Sequence, residues 1–212
     1  MKYIVKGPEP AVFTDWKALA SPDWTPTYDD LRGAEKKAVK TALMQEQGYL
    51  CCYCERQLSD DDSHIEHFKP QHLADVDPLE YANLLCSCQN RLDKGMPRHC
   101  GNLKDGWFDA HLLVSPMSAD CEARFSYTAD GRIHPGQDDA AALATIENLG
   151  LDIPKLISLR SAAISPFLDD DLSHDELSRF VDGYLRKDAE GHFAPFWTTI
   201  RGLFGGSVEA VN

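Results

Sequence analysis

The chain has no long apolar run. No stretch approaches the ~20 apolar residues that a membrane-crossing helix requires, which excludes a helical membrane protein. Its opening, Met1-Lys2-Tyr3-Ile4-Val5-Lys6-Gly7-Pro8, lacks the apolar core of a secretory signal, so a cytoplasmic location is expected. Internal repeats and low-complexity tracts are absent, which excludes repeat architectures. Basic residues are scarce: 21 Lys and Arg face 34 Asp and Glu, for a net charge of −13. Phosphate contacts require positive charge, so any nucleic-acid binding must rest on a local basic segment or on a partner that supplies the grip. An even number of cysteines is also missing. Seven cannot all pair, and all but Cys121 fall between positions 51 and 100. In a reducing compartment such clustering favours metal over disulfides.

What remains is ordinary for a folded protein: 212 residues, 43% hydrophobic and 26% charged, enough for one domain or one domain with an appendage. The informative part is short. Cys51 and Cys54 have the two-residue gap that lets one turn point both sulfurs at a tetrahedral ion. A second pair is needed, and Cys88 and Cys100 are the candidates. Cys86 can replace Cys88, because residues two apart on a strand share a face. Cys52 and Cys121 read as small buried residues.

Between these cysteines stands His64-Ile65-Glu66-His67-Phe68-Lys69-Pro70. A neutral imidazole takes a proton from water near pH 7, so His67 is the candidate general base. Glu66 offers a hard oxygen suited to Mg²⁺ or Mn²⁺. Neighbours on a regular strand point to opposite faces, so these two can share a centre only if the chain bends there. His64 is a second imidazole that can ligate, stack or face solvent. Asn83 can orient the loop of the base through hydrogen bonds. Asn102 can complete the cation site through its side-chain oxygen, or simply cap a helix. Residues 84–104 carry Arg91, Lys94, Arg98 and Lys104 against Asp93. Lys69, Arg91 and Lys104 are the candidate phosphate contacts.

Around this centre the pattern divides the chain. Residues 1–48 hold a Pro-rich, extended arm up to about residue 30 and then a helix over 33–47, stopped by Gly48. Residues 49–110 form the candidate catalytic module: a knuckle at Cys51–Cys54, strands near Ser63–Phe68 and Asn83–Ser87, and a helix starting near Asn102. Residues 111–212 are mostly helical and offer a candidate partner surface. They include a hairpin turn at Ala129-Asp130-Gly131-Arg132, two helical pieces over 138–165, and a helix opened by the Ser173/Glu176 capping box. The apolar segment from Phe193 to Phe204 is expected to pack on the core.

The Cys51-x-x-Cys54 turn, Glu66-His67 before Pro70, Asn83 and Cys100-Gly-Asn-Leu-Lys104 together resemble the HNH, or ββα-metal, endonuclease superfamily. A closer resemblance is to the HNH subunit of Septu-type antiphage systems (PtuB-like), also found with some retrons. It is carried by the opening Lys-Tyr-Ile-Val-Lys-Gly-Pro-Glu-Pro, Cys-Cys-Tyr-Cys-Glu, His-Ile-Glu-His-Phe-Lys-Pro and Tyr81-Ala-Asn83-Leu-Leu. The resemblance implies an α+β fold: a ββα-metal core with a structural zinc knuckle, surrounded by mainly α-helical N- and C-terminal segments. It implies a DNA endonuclease using Mg²⁺ or Mn²⁺, with His67 as base, Glu66 as cation ligand and Asn83 as orienting residue. It implies an SMC/ABC-like ATPase partner (PtuA-type), with a retron RNA–DNA element as a further partner and no membrane. One departure stands out. In many HNH proteins the last cation ligand directly follows the final cysteine, and here that position is Gly101. The main rival expectation is a non-catalytic zinc module that binds nucleic acid or protein. It needs the cysteines but neither Glu66 nor His67.

Overall fold

The structure, a computed structural model, describes residues 1–90, 92 and 94–206. Where an extended arm is expected, a short helix α1 (Ala11–Lys17) forms instead. Pro10 sits at its N-cap with extended backbone, so the ring opens the helix rather than breaking it. Phe13 anchors α1 in the core and stacks on Trp16. Helix α2 (Gly33–Glu46) follows and buries Val39, Leu43 and Met44. It leaves Lys36 and Lys37 exposed. Gly48 then turns the chain with φ +58°, and a side chain there would run into the Phe193 ring.

Strands β1 (Ser63–His67) and β2 (Leu84–Cys88) pair antiparallel, from Ser63 opposite Cys88 to His67 opposite Leu84. Every residue of β2 is buried. Gln47, at the end of α2, acts as an extra rung. Its amide donates to Leu50 O and Cys86 O, and its oxygen accepts from Cys86 N at 2.7 Å. Helix α3 (Gly101–Lys104) completes a ββα unit and is a single turn long. Cys100 N donates to Leu149 O, tying that turn to the next layer.

The C-terminal half begins with β3 (Phe125–Tyr127) and β4 (Ile133–Pro135), an antiparallel pair closed by the expected turn. Helices α4 (Ala140–Leu149) and α5 (Pro154–Ile164) are separated at Gly150, as the pattern predicts. Helix α6 (His174–Leu185) opens with both halves of the Ser173/Glu176 capping box in place. Helix α7 (Trp197–Phe204) carries the apolar C-terminal segment. The fold is thus α+β. Its main core joins α1, α2, the β1–β2 hairpin, the cysteines and α4, while Ile164, Phe167, Val181 and Ile200 form a second, smaller core. Among the described residues no helix is long and apolar enough to cross a membrane.

Candidate metal centre and active site

The Sγ atoms of Cys51, Cys54, Cys88 and Cys100 lie within 4.8 Å of one another, and all four residues are buried. A tetrahedral ion with Zn–S bonds of 2.3 Å sets its sulfurs about 3.8 Å apart. The Cys54 and Cys88 sulfurs stand 3.7 Å apart. The donor set, spacing and burial therefore fit zinc. Cys88 N and Ser87 Oγ both face Cys51 Sγ, at 3.4 and 3.8 Å, as partners for a sulfur carrying negative charge. Burial raises the Cys51 thiol, but hydrogen bonds from the Cys100, Cys52, Cys54 and Cys88 thiols overcome it and hold Cys51 well below its ordinary value. The structure thus brings together the predicted four and leaves Cys86 out. Cys86 lies two residues back along β2, where strand geometry places it roughly 6.6 Å from the Cys88 position. Buried His99 stands beside the cluster with Nδ1 3.1 Å from Cys100 Sγ, a neighbour that spacing did not single out.

The second centre lies on β1. The expected bend at Glu66–His67 is absent, because pairing continues to His67 opposite Leu84. The alternation of a regular strand therefore holds. Glu66 enters the space between β1 and α3, where Lys104 Nζ reaches Oε1 at 2.9 Å and the Tyr53 hydroxyl donates to the same oxygen at 3.2 Å. Burial pushes the Glu66 carboxyl up, but the adjacent His64 and the Lys104 ammonium bring it below the usual carboxylate value. His67 faces the other way. Its ring packs edge-on against Tyr28 and its Nε2 lies 2.9 Å from Pro78 O. A carbonyl only accepts, so Nε2 carries the hydrogen and Nδ1 is left with a lone pair. Burial lowers the His67 imidazole below its ordinary value, favouring the neutral form.

Asn83 clasps the chain just past His67. Its Oδ1 accepts from Lys69 N at 2.8 Å and its Nδ2 donates to Lys69 O at 2.9 Å. Lys69 keeps its side chain exposed. Lys104 does not: it is 2% exposed, and its ammonium is shared by Glu66 and His67 O. It is an internal counter-charge rather than a surface contact for phosphate. Asn102 is engaged elsewhere, its amide donating to Gln89 O. In its stead His64 stands beside Glu66, with Nε2 3.7 Å from Oε2. Arg91 lies outside the described residues.

A feature that sequence reading missed borders this centre. An open cavity of about 370 Å³ lies against β1, walled by Lys36, Lys37 and Lys40 of α2 together with Tyr28, His64 and Asn90. Lys40 is paired with Asp60 at 3.1 Å. In a chain of net charge −13 this is a concentrated basic wall. The only signal for it was the helical spacing of lysines over 36–40, which reads equally well as a solvated helix face.

No family model matches the chain. Over 135 residues, 60% of its length, it is 34% identical to a protein of Vibrio cholerae serotype O1 biovar El Tor named "Retron Vc95 putative HNH endonuclease". The likeness is to the HNH endonucleases. The match covers 63% of that relative, so the chain spans a little under two thirds of its length. The HNH resemblance read from Glu66-His67, Asn83 and the cysteines agrees with this finding. The α+β frame, with a ββα unit around a four-thiol cluster, is consistent with an HNH centre.

Proposed function

We propose that the protein is a metal-dependent HNH endonuclease that hydrolyses DNA phosphodiester bonds. The observation that carries this reading is His67. It is a half-buried imidazole fixed at Nε2 by Pro78 O and kept neutral by burial; it leaves β1 on the face opposite Glu66, so the reading requires the scissile phosphate to sit across the end of β1, in reach of both. His67 takes the proton of the attacking water at Nδ1. Asn83 holds the Phe68–Pro70 segment, and with it the end of β1, in one position. Lys104 keeps Glu66 ionised inside the protein. Glu66 holds Mg²⁺ or Mn²⁺ through the oxygen that Lys104 does not occupy. When bound, that cation supplies positive charge for the phosphate and the departing 3′ oxygen. Lys36, Lys37 and the exposed Lys69 draw the nucleic-acid backbone toward β1. The four thiols hold a structural Zn²⁺ that joins the first cysteine turn to β2 and α3.

The same proposal places the chain in the cytoplasm as the nuclease effector of an antiphage defence complex. The retron in the relative's name supports this setting, as does the Septu-like opening of the sequence. A PtuA-type ATPase of the SMC/ABC kind would supply the DNA grip that a net charge of −13 withholds. The test is plasmid cleavage by wild type and His67→Ala, with Mg²⁺, Mn²⁺ or EDTA, alone and with the ATPase. His67→Ala is expected to lose roughly 10²–10⁴ in rate while retaining zinc. The wild-type rate should fall as pH drops through a value below the ordinary histidine pKa of about 6.5, because only the neutral ring accepts the proton. Equal cutting by both proteins removes His67 from the mechanism. Nucleic-acid binding without cutting under every condition favours the interaction module.

A further inference from the structure

We infer that His64 is a ligand of the catalytic cation, which it shares with Glu66 in the gap that Gly101 leaves open. This deepens the nuclease reading, on which the use of the ion rests; its binding does not depend on that reading.

The two oxygens of Glu66 are treated differently. Oε1 receives both Lys104 and Tyr53. Among the described residues, Oε2 has no hydrogen-bond donor; its nearest polar neighbour is His64 Nε2 at 3.7 Å, longer than a hydrogen bond. His64 is equally unaccounted for. Among the described residues neither ring nitrogen has a hydrogen-bond partner within reach, and Nδ1 is buried. What the ring and the carboxylate do share is a gap of defined size. Adjacent ligands of an octahedral ion with bonds of about 2.1 Å stand about 3.0 Å apart, so the 3.7 Å between Nε2 and Oε2 would close by roughly 0.7 Å as the two ligate one ion.

Gly101 makes room for this gap. A Cβ on Gly101 would lie 2.8 Å from His64 Nε2 and closer still to Glu66 Oε2. The start of α3 therefore offers no side chain to the ion, but it leaves clear the place a ligand from α3 would fill. The imidazole enters from β1 instead, two residues before Glu66 and on the same face of the strand. Of these residues His64 also lines the lysine-walled cavity, so the site meets that cavity at the imidazole.

The experiment uses full-length, zinc-loaded protein and Mn²⁺ without DNA, read by electron paramagnetic resonance for affinity and by spin-echo modulation for coordinated ¹⁴N. Wild type should bind one Mn²⁺ per chain with imidazole nitrogen modulation. His64→Ala should abolish the modulation and weaken Mn²⁺ by more than the roughly 10–100-fold that an outer partner of a ligand is worth. Gly101→Ala should weaken binding by crowding Oε2, with zinc content and melting temperature checking that the fold survives. His67→Ala should keep the modulation, and Asn102→Ala should bind as wild type does. Nitrogen modulation that persists in His64→Ala, that disappears in His67→Ala, or that is absent from wild type overturns the assignment. A protein that binds Mn²⁺ as described yet never cuts DNA sinks the nuclease reading and leaves the site standing.

Discussion

Around β2 thiols, an amide and a hydroxyl sit among the aliphatic side chains of the main core; between α5, α6 and α7 aromatic rings pack with aliphatic ones. Gln47, Ser87 and four sulfurs hold the hairpin. In the second core Phe167 stacks on Phe180 at 4.4 Å and on Phe204 at 5.3 Å, with Tyr184 edge-on at 5.2 Å. A β1–β2 pair of five residues each buries too little to stand alone. The pair is set in the main core, where the thiols, Gln47 and Ser87 add directional contacts to the apolar packing, while the smaller helical core rests on apolar packing. The lesson is that directional contacts are concentrated beside the candidate site, inside the larger core, while the smaller core carries apolar packing.

Three measurements break or sharpen this contrast. The largest effect is expected from Cys88→Ser. Structural zinc in small domains is worth roughly 10–16 kcal/mol of folding energy, so this protein should purify without zinc and lose the near-ultraviolet signature of the hairpin's aromatic neighbours. Retention of stoichiometric zinc and an unchanged melting temperature would show that the thiols do not organise the module. Next is Phe167→Ala, which should cost about 3–5 kcal/mol in chemical denaturation through the cavity it leaves. Zinc content and Mn²⁺ affinity should stay at wild-type values, and a drop in either would mean the two regions are energetically one. Smallest is Ser173→Ala. Its Oγ accepts from Glu176 N at the head of α6, and its loss should lower stability by about 1 kcal/mol with no change in cleavage.

Local chemistry was legible in the sequence. The Cys51/Cys54 turn, the α2 helix, the turn at 129–132 and the Ser173 cap all depend on residues within a few positions of one another, where spacing decides contact. Cross-chain facts were not. Alternation places Cys86 and Cys88 on one face but is silent on which stands opposite Cys51. It places His64 beside Glu66 without saying that α3 presents Gly101 to them. Lys104 read as a surface lysine because nothing in its neighbours reveals that a one-turn helix aims it at a carboxylate 38 positions earlier. The orphaned His64 ring and the empty place before Gly101 emerge only once β1 and α3 are brought together.

Glu55 follows directly on the first thiol pair, and its position links more than the sulfurs. Its backbone oxygen accepts from Phe196 N, and its carboxylate accepts from Thr198 N at 2.8 Å, at the head of α7. The turn that delivers Cys51 and Cys54 to the ion thereby also seats the last helix. The four-thiol cluster and the docking of the C-terminal segment are thereby joined through one turn. Under the function proposed above, loading of the four-thiol cluster would therefore be a precondition of cutting, and the supply of its ion a control on when the activity begins.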